Sequence, residues 1–215
     1  MDLLGVSFQE IGGADLNVQD VLPGTGIDVW GGDLLRVWGP VTAKYVSAYY
    51  FEETYSSDYK EEYGPGWATP GQVRLDFPIA AGQGFWLTTA DATSVTIAGE
   101  VLQATDNKVS TLATKMDILC NTFPVDINVQ DVKPVSGIDT WGGDLLRIWN
   151  PVTATYVSAY YFEETYSADY QEEYGAGWAT PGQVRLDIPI ASGQGFWLTT
   201  GTDAVVEFFA PAGIL

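Results

Sequence analysis

Short segments in which apolar and polar residues alternate recur along the chain, and turns rich in glycine or proline separate them. In Lys44–Glu52, for example, Val46, Ala48 and Tyr50 share one face, which is the two-residue period of a β-strand. The same criteria predict strands over Met1–Phe8, Leu34–Trp38, Lys44–Glu52, Gln72–Phe77, Gly84–Thr89 and Val95–Val101. No helical periodicity lies between these segments, so the pattern predicts an all-β, sandwich-like domain.

A second copy of this pattern follows the first at a constant offset of 111 residues. Asn17–Thr89 aligns with Asn128–Thr200 without gaps, and 12 of the 73 paired positions differ. A repeat of this length is a domain, longer than one unit of a solenoid. The sequence therefore predicts two tandem β-sandwich-like domains from an internal duplication: repeat 1 at 1–105, a polar linker at 106–115 and repeat 2 at 116–215.

The N-terminal residues also belong to the repeat, because Met1–Leu4 (MDLL) resembles Met116–Leu119 (MDIL). Met1 thus lies inside a repeated unit, which is compatible with a longer precursor. No recognisable signal peptide precedes it. No stretch reaches the roughly 18 apolar residues of a membrane span, so membrane insertion is not expected.

The largest aromatic side chains within the repeat are predicted to form its core. This hypothesis places the following side chains in the interior: Trp30, Trp38, Phe51, Phe85 and Trp86 in the first copy, and Trp141, Trp149, Phe196 and Trp197 in the second. The alternation allows no helix longer than two turns between Asn17 and Thr89.

The charge balance is strongly acidic, with 28 acidic against 9 basic residues and a net charge of −19. The basic residues are scattered singly, whereas phosphate recognition needs clustered lysine and arginine, so nucleic-acid binding is not expected. The same charge opposes self-association unless cations screen or bridge the carboxylates.

The chain has no histidine and a single cysteine, Cys120. This composition excludes Ser–His and Cys–His catalysis and histidine-bound metals. Cys120 lies in an apolar run and is predicted to be a small buried side chain rather than a nucleophile. Paired carboxylates could act as general acid and base, but no feature of the sequence buries one of them. We therefore expect no enzymatic activity.

One segment, Glu52–Tyr63, concentrates carboxylates, and Glu163–Tyr174 repeats it with every acid retained. Hard cations such as Ca²⁺ take six to eight oxygen ligands, which a dense acidic loop can supply. The calcium hypothesis names these ligands: Glu52, Glu53, Asp58, Glu61, Glu62, Glu163, Glu164, Asp169, Glu172 and Glu173. Asp28 and Asp33, beside the Gly31–Gly32 turn, could add ligands. The alternative is a solvated acidic loop without a metal.

The same segments, with the residues up to Trp67 and Trp178 that follow them, carry a set of aromatic residues that a loop could not bury within its own domain. These candidates for ligand or interface contacts are Tyr55, Tyr59, Tyr63, Trp67, Tyr166, Tyr170, Tyr174 and Trp178. Flat rings can stack on sugars, and they can equally be buried by a protein partner. Solvent-facing rings would favour sugar, and rings buried against a neighbour would favour assembly.

Two arginines occur in both copies, as Arg36 and Arg147 and as Arg74 and Arg185. Each copy also has aspartates nearby in the sequence, at Asp33 and Asp76 in the first. A structural ion pair is the expected role, and a bidentate anion site is the alternative.

The order of motifs, WGGDLLR followed by a tyrosine-rich strand and then GQGFWLTT, resembles the tandem β-modules of secreted surface or filament proteins of environmental bacteria. The resemblance covers nearly the whole chain and implies an extracellular or cell-surface structural protein. It identifies no ligand and no catalytic residues.

Two functional hypotheses follow. The first is a subunit of a head-to-tail fibre or surface assembly, a homopolymer stabilised by calcium and by strand exchange through Met1–Phe8 or Val205–Ala210. The second is a carbohydrate-binding or adhesive module that binds polysaccharide through its tyrosine-rich loops, used twice for avidity.

Overall fold

The chain is all-β. The computed structural model describes residues 2–5, 8–9, 15–39, 42, 44–97, 100–101, 108–111, 116–150 and 153–209. Apart from strands, the regular elements in these ranges are two one-turn 3-10 helices, Val18–Asp20 and Val129–Asp131. Among the described residues no helix has the length and apolar character needed to cross a bilayer.

The chain divides into two compact units, Met1–Val101 and Leu102–Leu215. The predicted linker at 106–115 therefore falls within the second unit. Four of its residues, Lys108–Thr111, form a strand that pairs with Ala204–Phe208.

The first unit is built around a sheet of five described strands. The described strands of the whole unit are β1 (Asp2–Gly5), β2 (Phe8–Gln9), β3 (Leu16–Asn17), β4 (Leu22–Pro23), β5 (Trp30–Gly39), β6 (Lys44–Tyr55), β7 (Glu62–Ala68), β8 (Pro78–Ile79), β9 (Gly84–Thr88), β10 (Val95–Thr96) and β11 (Glu100–Val101). The main sheet has the order β1-β9-β5-β6-β7 with all neighbours antiparallel, and β3–β8, β4–β10 and β2–β11 form short pairs.

The second unit repeats this arrangement. Its strands are β12 (Lys108–Thr111), β13 (Met116–Cys120), β14 (Ile127–Asn128), β15 (Val132–Ser136), β16 (Trp141–Asn150), β17 (Thr155–Tyr166), β18 (Glu173–Ala179), β19 (Pro189–Ile190), β20 (Gly195–Thr199) and β21 (Ala204–Phe208). The main sheet has the order β13-β20-β16-β17-β18, and a second sheet has the order β12-β21-β15.

Each core lies between the main sheet and the short strands that cover one of its faces. In the first unit the sheet contributes Leu35, Val37 and Phe85, which meet Leu16 and Ile79 from the pair β3–β8. In the second unit the equivalent residues are joined by Val206 and Phe208 of β21. Burial of these apolar side chains is the main favourable contribution to folding. Cys120 is fully buried in the second unit, as expected.

The prediction that all the large aromatic residues are buried is wrong for several of them. Successive side chains of a strand point to opposite faces, so Trp38 cannot share the core face of Val37, nor Trp86 that of Phe85. Trp38 and Trp86 are half-buried on the outer face, where both contact Tyr45. In the second unit Trp149 is 37% exposed and Phe196 lies in the core, and Trp197 is also buried as predicted, although it lies on the face opposite Phe196 and outside the core cluster.

Trp30 and Trp141 depart furthest from the prediction, since each is 77% exposed. The register between β5 and β6 shifts between Trp30 and Leu34, which marks a β-bulge. Gly31 adopts φ +81° there and lies on the Phe51 ring. The bulge adds two residues to β5, so Trp30 keeps the face that alternation gives it, opposite the core that Leu35 enters.

Two of the predicted strand boundaries are also wrong. Gln72–Phe77 is not a continuous strand, because Gln72 adopts φ +60° and only Val73 and Arg74 form isolated bridges. Conversely, Glu62–Ala68 is a strand, although its glycines and Pro65 suggested a loop. Gly64 makes this possible, since its φ of +69° sits at a bulge opposite Thr54.

Candidate functional site

The acidic segment forms the end of one hairpin in each unit. In the first unit β6 and β7 are joined by a tight turn, Ser56–Glu61, which we call the acidic turn. The Ser56 backbone N–H donates to the Glu61 carbonyl at 2.8 Å, and the Ser56 hydroxyl oxygen accepts from the backbone N–H groups of Lys60 and Glu61, both at 3.1 Å. Ser167–Glu172 repeats the turn in the second unit with the same bonds.

Asp58 is held within the acidic turn by local bonds. The Ser56 hydroxyl donates to its carboxylate at 2.6 Å, and Lys60 Nζ lies 3.1 Å from its other oxygen. The hydrogen bond from Ser56, followed by that from Lys60, lowers the pKa of Asp58 below its usual value. In the second unit Ser167 has the same effect on the pKa of Asp169.

All ten predicted calcium ligands are exposed and spread along the hairpins. Glu53 and Glu61 accept hydrogen bonds from tyrosine hydroxyls, while Glu52 and Glu62 lie on different strands. Within the described ranges no three acidic or cysteine side chains come together as a metal site requires. A single unit therefore offers separate carboxylates rather than a preformed cage, and calcium binding stays a prediction.

Asp28 and Asp33, suggested as further ligands, hold the backbone instead. Asp33 is buried, and its carboxylate accepts from the backbone N–H of Asp28 at 2.7 Å and of Ala90 at 3.2 Å. The Asp28 carboxylate in turn accepts from the N–H groups of Trp30 and Gly32. Asp139 and Asp144 repeat these bonds in the second unit.

The predicted tyrosines lie in or next to each acidic turn, and we call them the aromatic surface: Tyr55, Tyr59 and Tyr63 in the first unit and Tyr166, Tyr170 and Tyr174 in the second. Tyr55 and Tyr59 stack with ring centroids 5.9 Å apart, and Tyr166 and Tyr170 stack at the same distance. The Tyr59 ring is 58% exposed, and its hydroxyl donates to the Gly71 carbonyl. Tyr59 and Tyr170 take left-handed backbone conformations, with φ of 57° and 59°, which non-glycine residues adopt only where the surroundings enforce them.

Tyrosine hydroxyls and carboxylates pair on this surface. The Tyr55 hydroxyl donates to Glu53 at 2.8 Å and the Tyr63 hydroxyl to Glu61 at 2.6 Å. Each hydrogen bond to a carboxylate raises the pKa of the tyrosine above 10.0, because ionising the phenol would lose the donor and place two anions together. The pKa values of Tyr166 and Tyr174 are raised by Glu164 and Glu172 in the same way.

Trp67 and Trp178 do not belong to this surface, contrary to the prediction. Both are fully buried. The Trp67 indole N–H donates to the Val21 carbonyl at 2.8 Å, and its ring meets Tyr50 edge-on. They are core residues because β7 is a strand whose Trp67 side chain points inward, which its interpretation as a loop had concealed.

Arg74 packs on the aromatic surface rather than forming the predicted ion pair. Its guanidinium lies 5.5 Å from the centroid of the Tyr63 ring and donates to Thr54 and Pro65. Such stacking is a favourable cation–π geometry. Among the described residues the one ion pair joins Lys60 and Asp58, so it involves neither arginine. Arg36, the other arginine for which an ion pair was predicted, is exposed. Arg185 repeats the stacking on Tyr174 at 5.4 Å.

Two depressions adjoin these residues in the first unit. An open groove of about 610 Å³ is lined by Asn17, Gln19, Asp20, Ser56, Ser57, Tyr63, Arg74 and Asp76. A smaller recess of about 130 Å³ is lined by Val29, Trp30, Glu52, Glu53 and Gln72. The recess includes an exposed indole that the core prediction had placed inside. The Asp-x-Trp-Gly-Gly order could have revealed this, since aspartate two residues before tryptophan favours a turn.

Gln19 is a second residue whose role the sequence pattern did not reveal. Its side-chain amide accepts from the Trp67 N–H at 3.1 Å and donates to the carbonyls of Trp67 at 2.7 Å and Leu75 at 2.5 Å. It therefore bonds the Trp67 N–H and links the edge of β7 to the segment Val73–Leu75, whose Leu75 N–H donates to the same Trp67 carbonyl at 3.0 Å. Gln130 makes the same bonds to Trp178 and Leu186.

Comparisons of the chain with models of known protein families, with curated proteins and with solved structures give no match.

Proposed function

We propose that the chain is a non-catalytic, extracellular structural protein, a subunit of a head-to-tail fibre or surface assembly. The observation that supports this proposal is that the same tyrosines are exposed on both units. Tyr59 and Tyr63 are 58% and 49% exposed, and Tyr170 and Tyr174 are 57% and 49% exposed. Exposed apolar groups in the same arrangement on two units are typical of contact surfaces.

The proposal treats the two units as sandwich-like modules from an internal duplication. It draws on the equal strand order of the two main sheets and on the gap-free sequence alignment. Detailed bonds also recur at the 111-residue offset, such as those of Gln19 and Gln130. A contact that joins unlike surfaces of successive modules does not close on itself, so its repetition produces a filament.

Side-chain contacts fit this assembly better than exchange of the terminal strands. The strand β1 pairs with β9 in its own unit, and β21 is flanked by β12 and β15. Exchange through either strand would first have to break these pairs. Deleting Val205–Leu215 would also remove the core residues Val206 and Phe208, so loss of assembly in that variant would not identify exchange.

Calcium enters the proposal as a bridge between subunits. The five carboxylates of each acidic hairpin are exposed on one chain, so a cation could complete its oxygen ligands with those of a neighbour. A bridging divalent ion would also relieve the repulsion between chains of charge −19.

Negative-stain electron microscopy and light scattering of the purified full chain, with calcium and with EDTA, test the assembly. We expect filaments or sheets in calcium and shorter species in EDTA. The double variant Tyr63→Ala/Tyr174→Ala should shorten the filaments. The control variant Lys60→Gln gives the first turn the glutamine that the second turn has at Gln171, and it should not shorten them. A chain that stays monomeric at high concentration in calcium would contradict the proposal.

The second candidate function is saccharide binding by an adhesive module. The solvent-facing rings on each unit favour it, because flat exposed rings can pack on the apolar faces of pyranoses. Two equal units on one chain would give avidity for a repeating polymer.

A further inference from the structure

Trp30 and Trp141 are exposed in a way that the fold does not require. Each indole is 77% exposed, more than the other large apolar side chains of the described residues, and the two occupy equivalent positions. Tryptophan has the largest apolar surface of any side chain, and leaving it in water forgoes the stabilisation that its burial would bring. The position of these indoles leaves both of them available for a contact outside the unit.

The backbone beneath each indole is rigidly held. The Trp30 N–H donates to the Asp28 carboxylate at 2.7 Å, and the Glu52 N–H donates to the Val29 carbonyl at 3.0 Å. The Asp33 carboxylate accepts a hydrogen bond from the Asp28 backbone N–H, and Gly31 packs against the Phe51 ring. The backbone that carries the indole is thus ordered before a ligand binds, which lowers the conformational entropy lost on binding.

Polar groups surround the indole on one side. The recess beside Trp30 is lined by Val29, Glu52, Glu53 and Gln72. In the second unit Thr140 replaces Val29, and its hydroxyl donates to Glu163 at 3.1 Å. An apolar plane with hydrogen-bonding groups at its margin matches the two kinds of surface on a pyranose ring, its C–H face and its equatorial hydroxyls.

We propose that Trp30 and Trp141 are the stacking platforms of two saccharide subsites, one on each unit, that bind a polysaccharide without acid groups. This inference rests on the second candidate function and assigns it to these indoles instead of the tyrosines of the acidic hairpins. Hydroxyl groups donate to Glu52 and Glu53, whereas carboxylate or sulfate groups on the sugar would be repelled by them. The shallow recess suits a chain lying across the surface.

Native affinity electrophoresis in gels containing soluble polysaccharide tests the inference. The neutral probes are mixed-linkage β-glucan, xylan and galactomannan, and alginate is the acidic control. We expect at least one neutral probe to retard the wild-type chain and alginate not to do so. Trp30→Ala or Trp141→Ala should weaken retardation at least tenfold, because one site loses avidity. The double variant should migrate as in a gel without polysaccharide, and Trp30→Tyr should bind better than Trp30→Ala.

Matched variants distinguish the possible failures. Tyr59→Ala/Tyr170→Ala removes exposed rings from the acidic hairpins and should leave retardation unchanged, and thermal melts should show that all variants are folded. Loss of binding in the tyrosine variant but not in the tryptophan variant would overturn the inference and leave saccharide binding standing. No retardation of the wild type by any neutral probe would overturn both. If the tryptophan double variant instead lost only self-association in light scattering, the indoles would be an assembly contact and the subsites would be refuted.

Discussion

At the scale of single residues, glycine positions decide where the hairpins bend. Gly31 has φ +81°, and a Cβ added there would lie 2.6 Å from the Phe51 ring. Gly64 has φ +69°, with nothing within 4 Å of an added Cβ. Both glycines lie in the left-handed region that glycine adopts without strain. At Gly31 the Phe51 ring also leaves no room for a Cβ atom.

Gly64→Ala and Gly31→Ala separate these two effects. We expect Gly64→Ala to lower the free energy of unfolding by about 1–2 kcal/mol through backbone strain alone. Gly31→Ala should cost about 1–3 kcal/mol more, because the new methyl group overlaps a buried ring. Chemical denaturation with urea measures both values. Equal destabilisation by the two substitutions would show that Phe51 yields without penalty.

The tyrosine–carboxylate pairs predict a dependence on alkaline pH. Glu61 raises the pKa of Tyr63 above 10.0, since the phenol donates to its carboxylate. A group whose pKa is higher in the folded state stabilises the fold below its unfolded pKa, and this contribution disappears as the pH rises through the folded value. Local stabilisation by this pair should therefore be present at neutral pH and lost above pH 10.

The double variant Glu61→Gln/Glu172→Gln tests this pairing in both units. It should move the ionisation of two tyrosines to lower pH, as followed by phenolate absorbance at 295 nm. Glu52→Gln is the control, because Glu52 makes no contact that affects the pKa of Tyr63. An identical titration curve for the double variant and the wild type would refute the pairing.

At the scale of elements, the glutamine side chains that cover β7 and β18 protect sheet edges. An exposed edge presents unpaired N–H and C=O groups to other chains. Gln19 satisfies both groups of Trp67 and joins the edge to Leu75. The Leu75 N–H donates to the same Trp67 carbonyl, so Gln19 and the segment Val73–Leu75 cover this part of the edge together.

We expect Gln19→Ala to destabilise the first unit by about 2–3 kcal/mol, since the Trp67 N–H and the Leu75 carbonyl lose the hydrogen bonds that Gln19 provides. Gln130→Ala should do the same to the second unit, and Gln171→Ala, at an exposed position in the acidic turn, should have little effect. Calorimetry measures the stabilities, and turbidity near the melting temperature measures aggregation, which both edge variants should increase. Stabilities within 0.5 kcal/mol of the wild type would contradict the covering role.

The elements that could be predicted from the sequence are those specified by local alternation. The core of β5 and β6 follows from the two-residue period, and Leu35, Val37 and Ala48 are buried as a strand with one covered face requires. The exposure of Trp30 also agrees with this period, because Trp30 and Trp38 are eight residues apart and so share the outer face, but the core prediction followed the size of the side chain instead. The burial of Trp67 was missed for a different reason, since Gly64 and Pro65 resemble loop residues although they continue a strand. Sequence alternation carries no information about the register change at Gly64.

In the candidate site too, the features set by local sequence could be predicted and those set by long-range contacts could not. Clustering in sequence located the acidic hairpins and the exposed tyrosines. It could not locate the bonds of Gln19, which join residues 48 and 56 positions apart, or show that Asp33 would be buried as a backbone acceptor. Those contacts depend on how the short strands pack over the main sheet.

At the scale of the whole molecule, the net charge of −19 governs stability and association together. Carboxylates within a Debye length of about 8 Å at physiological ionic strength repel one another. Sodium chloride should weaken this repulsion generally, whereas calcium should also bind where several oxygens meet.

Calcium should therefore raise the melting temperature of the chain beyond the effect of sodium chloride at equal ionic strength, and EDTA should reverse the increase. A ligand at a hundred times its Kd stabilises the folded state by about 2.7 kcal/mol. Differential scanning calorimetry of the wild type and of Asp58→Asn/Asp169→Asn gives the comparison. Melting temperatures that follow ionic strength alone would refute specific calcium binding.

The pairing of β12 with β21 has a mechanical consequence for the second unit. These strands are the first and the last described in that unit, and Lys108 at the start of one is paired with Glu207 near the end of the other. A force that pulls on the two ends of the unit therefore acts at the same end of the ladder. Antiparallel strands loaded in this direction separate one hydrogen-bonded pair after another, instead of resisting with all pairs at once. Under tension the second unit should open by unzipping from Lys108 and Glu207, and it would lengthen at low force before its main sheet yields.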